Sequence, residues 1–293
     1  EGDFLTSPEV SKYFGKIIRN WIHSESNLKN IIEIGSGTGS LIEQIGIKEI
    51  TAVELSSTAR EELIKKGIDT HTTIDELTTK TSDLIFGNEI LDNIPCSIGL
   101  YKDEGWYEKV VLLEENSLAY GLRPIRNEEL DWINKNNIVP NEDYEFEIQV
   151  NIDKFLNSVI KKINPGKILL FDYGYEQKNR DKRMYSSLLR TYKNHHLSVD
   201  PIDDPGNIDI TYDVNFSSIS SELKYLGYDV TLKLQRDFLL DNGFNIFFDE
   251  LQEKYIAAEG IEKLKINSEL NGMKAIVDSN GLGGFYCLIA EKL

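Results

Sequence analysis

Four residues near the start of the chain have the types and spacing of a ligand-binding turn: Glu33, Gly35, Gly37 and Gly39. A short run of β-branched residues precedes them, and a helical pattern begins at Ser40. Glycine adopts backbone conformations that other residues avoid and leaves space beside its Cα. We expect one glycine to permit the tight turn, one to admit a ligand to the backbone, and one to let the helix pack closely.

The spacing Glu-x-Gly-x-Gly-x-Gly differs from the G-x-G-x-x-G of NAD enzymes. It is the spacing expected for S-adenosylmethionine (SAM), which becomes S-adenosylhomocysteine after methyl transfer. Glu54 ends the next predicted strand, residues 48–54, at about the distance from Gly35 where such folds place the carboxylate that binds ribose hydroxyls. Ser36, inside the turn, is also a predicted cofactor contact. The alternative is a plain glycine-rich turn beside an exposed glutamate.

Polar residues follow two later predicted strands. Asn88, Glu89 and Asp92 come after the strand at residues 83–86, and Asp172 ends the strand at residues 167–174. Ligands of open α/β sheets bind at the carboxyl ends of the strands. We therefore predict that Asn88 contacts the cofactor and that the three carboxylates are catalytic groups facing the transferable methyl.

The N-terminal segment carries Asp3, Thr6 and Ser7 just ahead of a predicted helix running to about residue 21. One hypothesis is that these three residues close over the cofactor. The alternative is a helix cap, with Ser7 as the N-cap and Pro8 at the first helical position.

The net charge of −17 over 293 residues disfavours nucleic acid as a partner, because a phosphate backbone would be repelled. A cationic ligand or a basic peptide would be attracted, although solubility alone also explains the acidity. The sequence has no apolar run long enough to span a bilayer and no zinc-ligand spacing, so we expect neither a membrane partner nor a metal. Cys96 and Cys287 are expected to be reduced and buried, as in a cytoplasmic protein.

The pattern of elements predicts an α/β fold: a Rossmann-like class I methyltransferase with a seven-stranded, mostly parallel sheet whose last strand is antiparallel. We expect one domain over residues 1–293. Inserts near residues 96–150 and 175–228 would form lid and acceptor-binding segments, with short antiparallel strands between residues 98 and 123 and a helix over residues 146–163.

The chain resembles the MidA-like methyltransferases, a family that includes a mitochondrial complex I assembly factor that methylates arginine. The matching motifs follow the family order and lie at residues 2–11, 33–39, 87–95, 105–108, 171–174, 190–193 and 205–211. Ser36 and Thr38 stand where the family usually has Pro and Arg.

The resemblance implies methyl transfer from SAM to a protein arginine. The residues leave two alternatives open: an O- or C-methyltransferase of small or carrier-bound molecules, and a SAM-binding assembly factor without catalysis. The predicted location is the cytoplasm, or the mitochondrial matrix if the source is eukaryotic. The oligomeric state is left open.

Overall fold

The computed structural model describes residues 6–25, 28–78, 81–115, 117–182, 188–193, 196–197 and 200–292. The chain divides into two units. We call Leu5–Ile90, Asn157–Tyr173 and Leu223–Leu293 the sheet unit, and Leu91–Leu156 with Gly174–Glu222 the insert unit. The inserts predicted from the sequence fall largely in the insert unit.

The sheet unit contains a seven-stranded sheet. Its strands are β1 (Ile31–Ile34), β2 (Ile50–Val53), β3 (Thr70–His71), β4 (Ser82–Asn88), β9 (Ile163–Asp172), β15 (Asp229–Leu234) and β16 (Tyr286–Glu291). Their order is β15-β16-β9-β4-β1-β2-β3. All pairs are parallel except those of β16, which is antiparallel to both β9 and β15. The predicted Rossmann-like sheet with its antiparallel last strand is confirmed.

Helices flank this sheet in sequence. They are α1 (Ser7–Val10), α2 (Tyr13–Ser24), α3 (Ser40–Ile45), α4 (Ser57–Lys65), α8 (Gln235–Asp241), α9 (Phe244–Ala257) and α10 (Gly260–Val277). The single N-terminal helix predicted to reach residue 21 is in fact two, because Ser11 is extended (φ −150°) and ends α1.

The sheet unit is held by one continuous hydrophobic core between the sheet and its helices. Phe171 of β9 makes edge-to-face contacts with Phe14 of α2 and Phe238 of α8, each at 5.2 Å between ring centroids. Burial of such rings, at about 25 cal/mol per Å² of apolar surface, is the dominant stabilising term. The core fixes the strand ends that carry the polar residues of interest.

The insert unit contains a four-stranded antiparallel sheet in the order β7-β6-β5-β8. Its strands are β5 (Ser97–Lys102), β6 (Gly105–Glu114), β7 (Ser117–Pro124) and β8 (Tyr144–Ile148). The shorter strands are β10 (Gly174–Tyr175), β11 (Leu189–Lys193), β12 (His196–Leu197), β13 (Asp209–Tyr212) and β14 (Val214–Asn215). The remaining helices are α5 (Asn127–Lys135), α6 (Val150–Ile160) and α7 (Phe216–Tyr225).

The helix predicted over residues 146–163 is partly wrong. Residues 144–148 form β8, which pairs with β5, and α6 begins only at Val150. Phe146 and Ile148 of β8 pack with Trp132 of α5 in a small second core. Pairing with β5 and burial of alternate apolar residues outweigh the local helical pattern.

Candidate functional site

The glycine-rich turn follows β1 directly and is held by backbone hydrogen bonds. The Gly35 N–H donates to the Val53 carbonyl at 2.8 Å, and the Gly39 N–H donates to the Ser36 carbonyl at 2.9 Å. The Ser36 hydroxyl donates to the Glu33 carbonyl at 3.0 Å. All three glycines have positive φ, at 69°, 51° and 85°. The turn therefore needs glycine for its backbone conformation.

The three glycines differ in what surrounds them. A Cβ on Gly35 would lie 2.3 Å from Ile90, and one on Gly39 would lie 2.8 Å from Leu63 of α4. A Cβ on Gly37 would meet no atom within 4 Å. Gly35 and Gly39 thus permit close packing within the fold, whereas Gly37 borders open space where a ligand could approach the backbone.

Glu54 lies across this turn from the end of β2. Its Oε2 accepts the Gly37 N–H at 2.8 Å, and its Oε1 accepts the Ser56 N–H at 2.8 Å. A carboxylate has about four acceptor sites, so each oxygen can accept a further hydrogen bond. Glu54 can therefore bind a donor presented beside Gly37.

Glu33 is a buried carboxyl group of β1, and its Oε2 has no hydrogen-bond partner among the described residues. Burial raises the pKa of Glu33 well above its ordinary value, and the Glu54 charge adds to the increase. A buried acceptor without a donor costs about 1–3 kcal/mol. A cationic ligand that donated to Oε2 would remove this cost and favour the ionised form.

Asn88 ends β4 and Glu89 follows it directly, beside the end of β9. The Glu89 N–H donates to the Phe171 carbonyl at 2.8 Å, and Glu89 has a φ of 52°, unusual for a residue with a side chain. Its Oε1 accepts from the Asn88 amide at 3.0 Å and from the Ser7 N–H at 3.4 Å. The Asn88 Oδ1 is buried without a partner in the described part of the chain. It is a second acceptor suited to a ligand donor.

The other two predicted catalytic carboxylates lie in different units. Asp172 ends β9 in the sheet unit; it is fully buried, and its Oδ1 accepts the Tyr173 N–H at 2.9 Å. Asp92 belongs to the insert unit, where it is buried and accepts from the Asn93 amide at 2.9 Å. The sheet unit therefore brings together Glu89 and Asp172 through the paired ends of β4 and β9.

At the N-terminus, the predicted cap is wrong by one residue: Thr6, not Ser7, is the N-cap of α1. The Thr6 N–H donates to Glu9 at 2.9 Å, completing a capping box. The Ser7 side chain is buried and hydrogen-bonded to the buried Gln235 of α8. Asp3, the third residue predicted here, lies outside the described residues.

Two residues of the sheet unit, Gln235 and Leu55, were not predicted from the sequence to contribute to the site. Gln235 fixes Ser7 and also donates to the Ile276 carbonyl at 3.0 Å. Leu55, directly after Glu54, exposes 77% of its surface. The position of Leu55 next to Glu54 could have been noticed in the sequence, but the exposure of its side chain could not.

The insert unit holds a cavity of about 560 Å³ of its own. Its lining combines apolar side chains, such as Ile98 and Ile210, with the carboxylates of Asp92, Glu108, Glu145 and Asp200. Its volume lies in the range of small-ligand sites.

The cavity is also lined by Cys96. Contrary to the prediction, Cys96 is only half-buried, while Cys287 is fully buried. Burial raises the pKa of the Cys96 thiol to about 12, so it is protonated at neutral pH.

The glycine turn fits the cofactor that its spacing suggests. SAM carries an ammonium group and two ribose hydroxyls, all hydrogen-bond donors. Glu54, which can accept further hydrogen bonds, lies beside the open space at Gly37. Glu33 and Asn88 each hold a buried oxygen that no described residue bonds. Acceptor oxygens of this kind suit a ligand that carries hydrogen-bond donors and a positive charge.

Comparison with solved structures supports the fold. A crystal structure of a "likely methyl transferase" from Burkholderia thailandensis, described as bound to S-adenosyl-homocysteine, superposes with a TM-score of 0.85. It is 23% identical, and the match covers 99% of this chain and 79% of that one.

The helices of the described residues are too short or too polar to span a bilayer.

Comparison with curated proteins finds relatives named as mitochondrial protein arginine methyltransferase NDUFAF7 homologs. The Caenorhabditis elegans protein is 25% identical over 83% of this chain, and the Drosophila melanogaster protein is 24% identical over 75%. The chain spans 66% and 59% of the lengths of these two relatives.

A family model described as "Putative S-adenosyl-L-methionine-dependent methyltransferase" matches residues 15–231, well over half of the chain. The cofactor of this family is SAM. Together with the fold, this match shows that the chain belongs to the MidA-like family of SAM-dependent methyltransferases.

Proposed function

We propose that this chain transfers the methyl group of SAM to an arginine side chain of an acceptor protein. The observation that carries the proposal is the open space at Gly37, next to which Glu54 accepts the Gly37 N–H. The buried oxygens of Glu33 and Asn88, which have no partner among the described residues, add to it. The names of the curated relatives support arginine as the acceptor residue.

In this proposal the cofactor lies over Gly35, Ser36, Gly37 and Gly39. Glu54 accepts from the ribose hydroxyls, as the acid after the second strand does in such folds. Glu33 accepts from the ammonium group, and the exposed Leu55 gives the adenine an apolar surface. Asn88 supplies a further acceptor at the end of β4.

Thr6 and Ser7 would hold the N-terminal segment close to this site, with Asp3 as an expected further contact. The support is a set of three anchors on α1. Ser7 bonds to Gln235, the Ser7 N–H bonds to Glu89, and the Pro8 carbonyl accepts from Gln44 of α3 at 2.6 Å. Closing the segment over the cofactor would exclude water from the reacting groups.

The bound cofactor supplies an electrophilic methyl group on a sulfonium. The residues of the chain must then hold a guanidinium group with one nitrogen aimed at that methyl. Glu89 and Asp172 are our candidates, because carboxylates bind guanidinium strongly and both stand at the carboxyl ends of β4 and β9. Asp92 is kept as a third candidate from the insert unit.

The test is transfer of radiolabelled methyl groups from SAM to a basic peptide that contains arginine. We expect label in this peptide and none in its lysine-substituted counterpart. Glu89→Gln should lower kcat by about a hundredfold and change the Kd for SAM by no more than about twofold. Glu43→Gln, at an exposed carboxylate of α3 paired with Lys66, is the matched control and should leave both unchanged.

Label that runs with small molecules of a lysate instead of protein would favour an O- or C-methyltransferase and contradict the arginine proposal. SAM binding without transfer to any fraction would favour an assembly factor.

We also propose a reducing compartment, the cytoplasm or the mitochondrial matrix, because both cysteines are free thiols.

A further inference from the structure

The hairpin of β6 and β7 in the insert unit presents an exposed apolar face. In its antiparallel register, Val111 pairs with Tyr120, and Leu113 pairs with Leu118. Residues directly opposite each other, and those two positions along each strand, share one face. Leu113 is 77% exposed and Val111 is 52% exposed on this face, so it lacks the covering that a core would supply.

The same face continues into the cavity of the insert unit. Val111, Tyr120 and Lys109 line the cavity, and Ile202 and Ile210 line it as well. The exposed hairpin face and the cavity therefore adjoin each other through Val111 and Tyr120. Contiguous apolar surface of this kind marks an interaction site.

The charged side chains that line the cavity are mostly carboxylates, and some of them pair with cationic side chains of the insert unit. Glu108 pairs with Arg123 through a 2.6 Å hydrogen bond, and Glu145 pairs with Lys109 at 3.2 Å. Asp200 instead accepts from the Tyr120 hydroxyl and from the Ile202 N–H at 3.2 Å. Among the described residues no cationic side chain pairs with Asp200.

The Tyr120 hydroxyl keeps its proton at neutral pH. Burial is the largest cause of its raised pKa, and the Asp200 carboxylate adds to it. The Tyr120 hydroxyl therefore acts as a donor to Asp200, whose carboxyl oxygens have lone pairs for further hydrogen bonds. A guanidinium or ammonium group on the occupant of the cavity would complement it.

The outer edge of the hairpin suits an extended occupant. β7 lies at one edge of the four-stranded sheet, and in the described part of the chain it pairs with β6 alone. From Ser117 to Leu122 it carries no charge or proline, the features that usually protect an edge strand. Such an edge can pair with an extended segment, whose alternate side chains would then face the apolar surface.

We propose that the β6–β7 face and the adjoining cavity bind an extended segment of the acceptor protein in which apolar and basic residues alternate. The segment is recognised independently of the arginine that is methylated. This inference rests on the proposed function for the identity of its partner, because only a protein acceptor supplies such a segment. It adds a docking surface to that function.

The test is fluorescence anisotropy with a short fluorescein-labelled peptide of alternating valine and lysine, which contains no arginine to methylate. We expect the full chain to bind this peptide and not its valine–glutamate counterpart. Asp200→Lys should weaken binding by about tenfold, because attraction becomes repulsion. Asp249→Lys, at an exposed acid of α9 in the sheet unit, has the same charge change and should alter binding by no more than about twofold.

A second pair of variants tests the apolar face. Leu113→Asp should weaken peptide binding by about tenfold, whereas Leu264→Asp, at a 70% exposed leucine of α10, should leave it unchanged. Equal effects of both members of either pair, or no binding of the lysine peptide, would overturn the proposal. So would a wild-type dimer that Leu113→Asp converts to monomer in sedimentation, since a second copy would then occupy the face.

Calorimetry with SAM separates this inference from the proposed function. SAM binding with methyl transfer, but without peptide binding, would overturn the docking surface and leave the proposed function intact. Peptide binding by a chain that does not bind SAM would support the docking surface and contradict methyl transfer.

Discussion

The glycine turn of the sheet unit and the cavity of the insert unit are built in different ways. The turn uses the consecutive residues 33–39 together with Glu54, and its shape depends largely on backbone conformation. The cavity draws its lining from separate segments between Asp92 and Tyr212, and its character depends on side chains. A site defined by its backbone is restricted to one kind of ligand. A site defined by its side chains can change the ligand that it binds through few substitutions.

The largest expected effect is at the backbone-defined site. Gly37→Val should abolish detectable SAM binding, a loss of at least about a hundredfold, because the side chain would occupy the open space beside the turn. The measurement is isothermal calorimetry with SAM.

Gly67→Val is the matched control for that variant. Gly67 also has a positive φ, 75°, and no atom within 4 Å of an added Cβ. Both variants carry a similar backbone strain of about 1–3 kcal/mol, but only Gly37 lies in the glycine turn. Equal loss of SAM binding in both would show that strain, not occupied space, is responsible, and would contradict our placement of the cofactor.

An intermediate effect is expected at Glu33. Glu33→Gln should weaken SAM binding by about ten- to a hundredfold, because the charged acceptor for the ammonium is lost. The same change should raise the Tm of the ligand-free protein by about 2–4 °C at neutral pH, because the variant has no carboxylate to ionise in a buried site.

The pH dependence of folding stability at Glu33 follows from the direction in which its pKa is shifted. The folded-state pKa of Glu33 lies above its unfolded value, so its contribution to stability is fully present below the ordinary carboxyl pKa and is lost as pH rises towards the folded value. Binding of a cation beside Glu33 should therefore release a proton. Calorimetry in buffers of different ionisation heat would detect this release in the wild type; an identical release by Glu33→Gln would refute the role of Glu33.

The smallest effect is expected at Leu55. Leu55→Ala should weaken SAM binding by about three- to tenfold, because a small apolar contact to the adenine is lost. Ile64→Ala, at a 63% exposed residue of the nearby α4, removes a similar surface and should leave the Kd unchanged. Unchanged SAM affinity in Leu55→Ala would remove Leu55 from the site while leaving the glycine turn in place.

The fold could be predicted where local pattern and tertiary structure agree. The antiparallel pairing of β16 with β15 and the strands of the β6–β7 hairpin were predicted and are confirmed. The prediction failed at Phe146 and at Ser7. Phe146 lies in β8 because pairing with β5 overrides a helical pattern, and Ser7 is drawn into the first helical turn because Thr6 and Glu9 form the cap.

The sequence by itself determined the glycine turn and its acid, because a positive φ at three nearby positions requires glycine and leaves few alternative structures. Only the tertiary structure decided that Gly37, of the three glycines of the turn, borders open space. It also decided that Glu33 and Asn88 hold oxygens, and Asp200 a place in the cavity lining, for which the described residues supply no hydrogen-bond donor and no cationic partner, respectively. These properties arise from residues far apart in sequence, whose packing decides which polar groups are satisfied within the fold and which remain for a ligand.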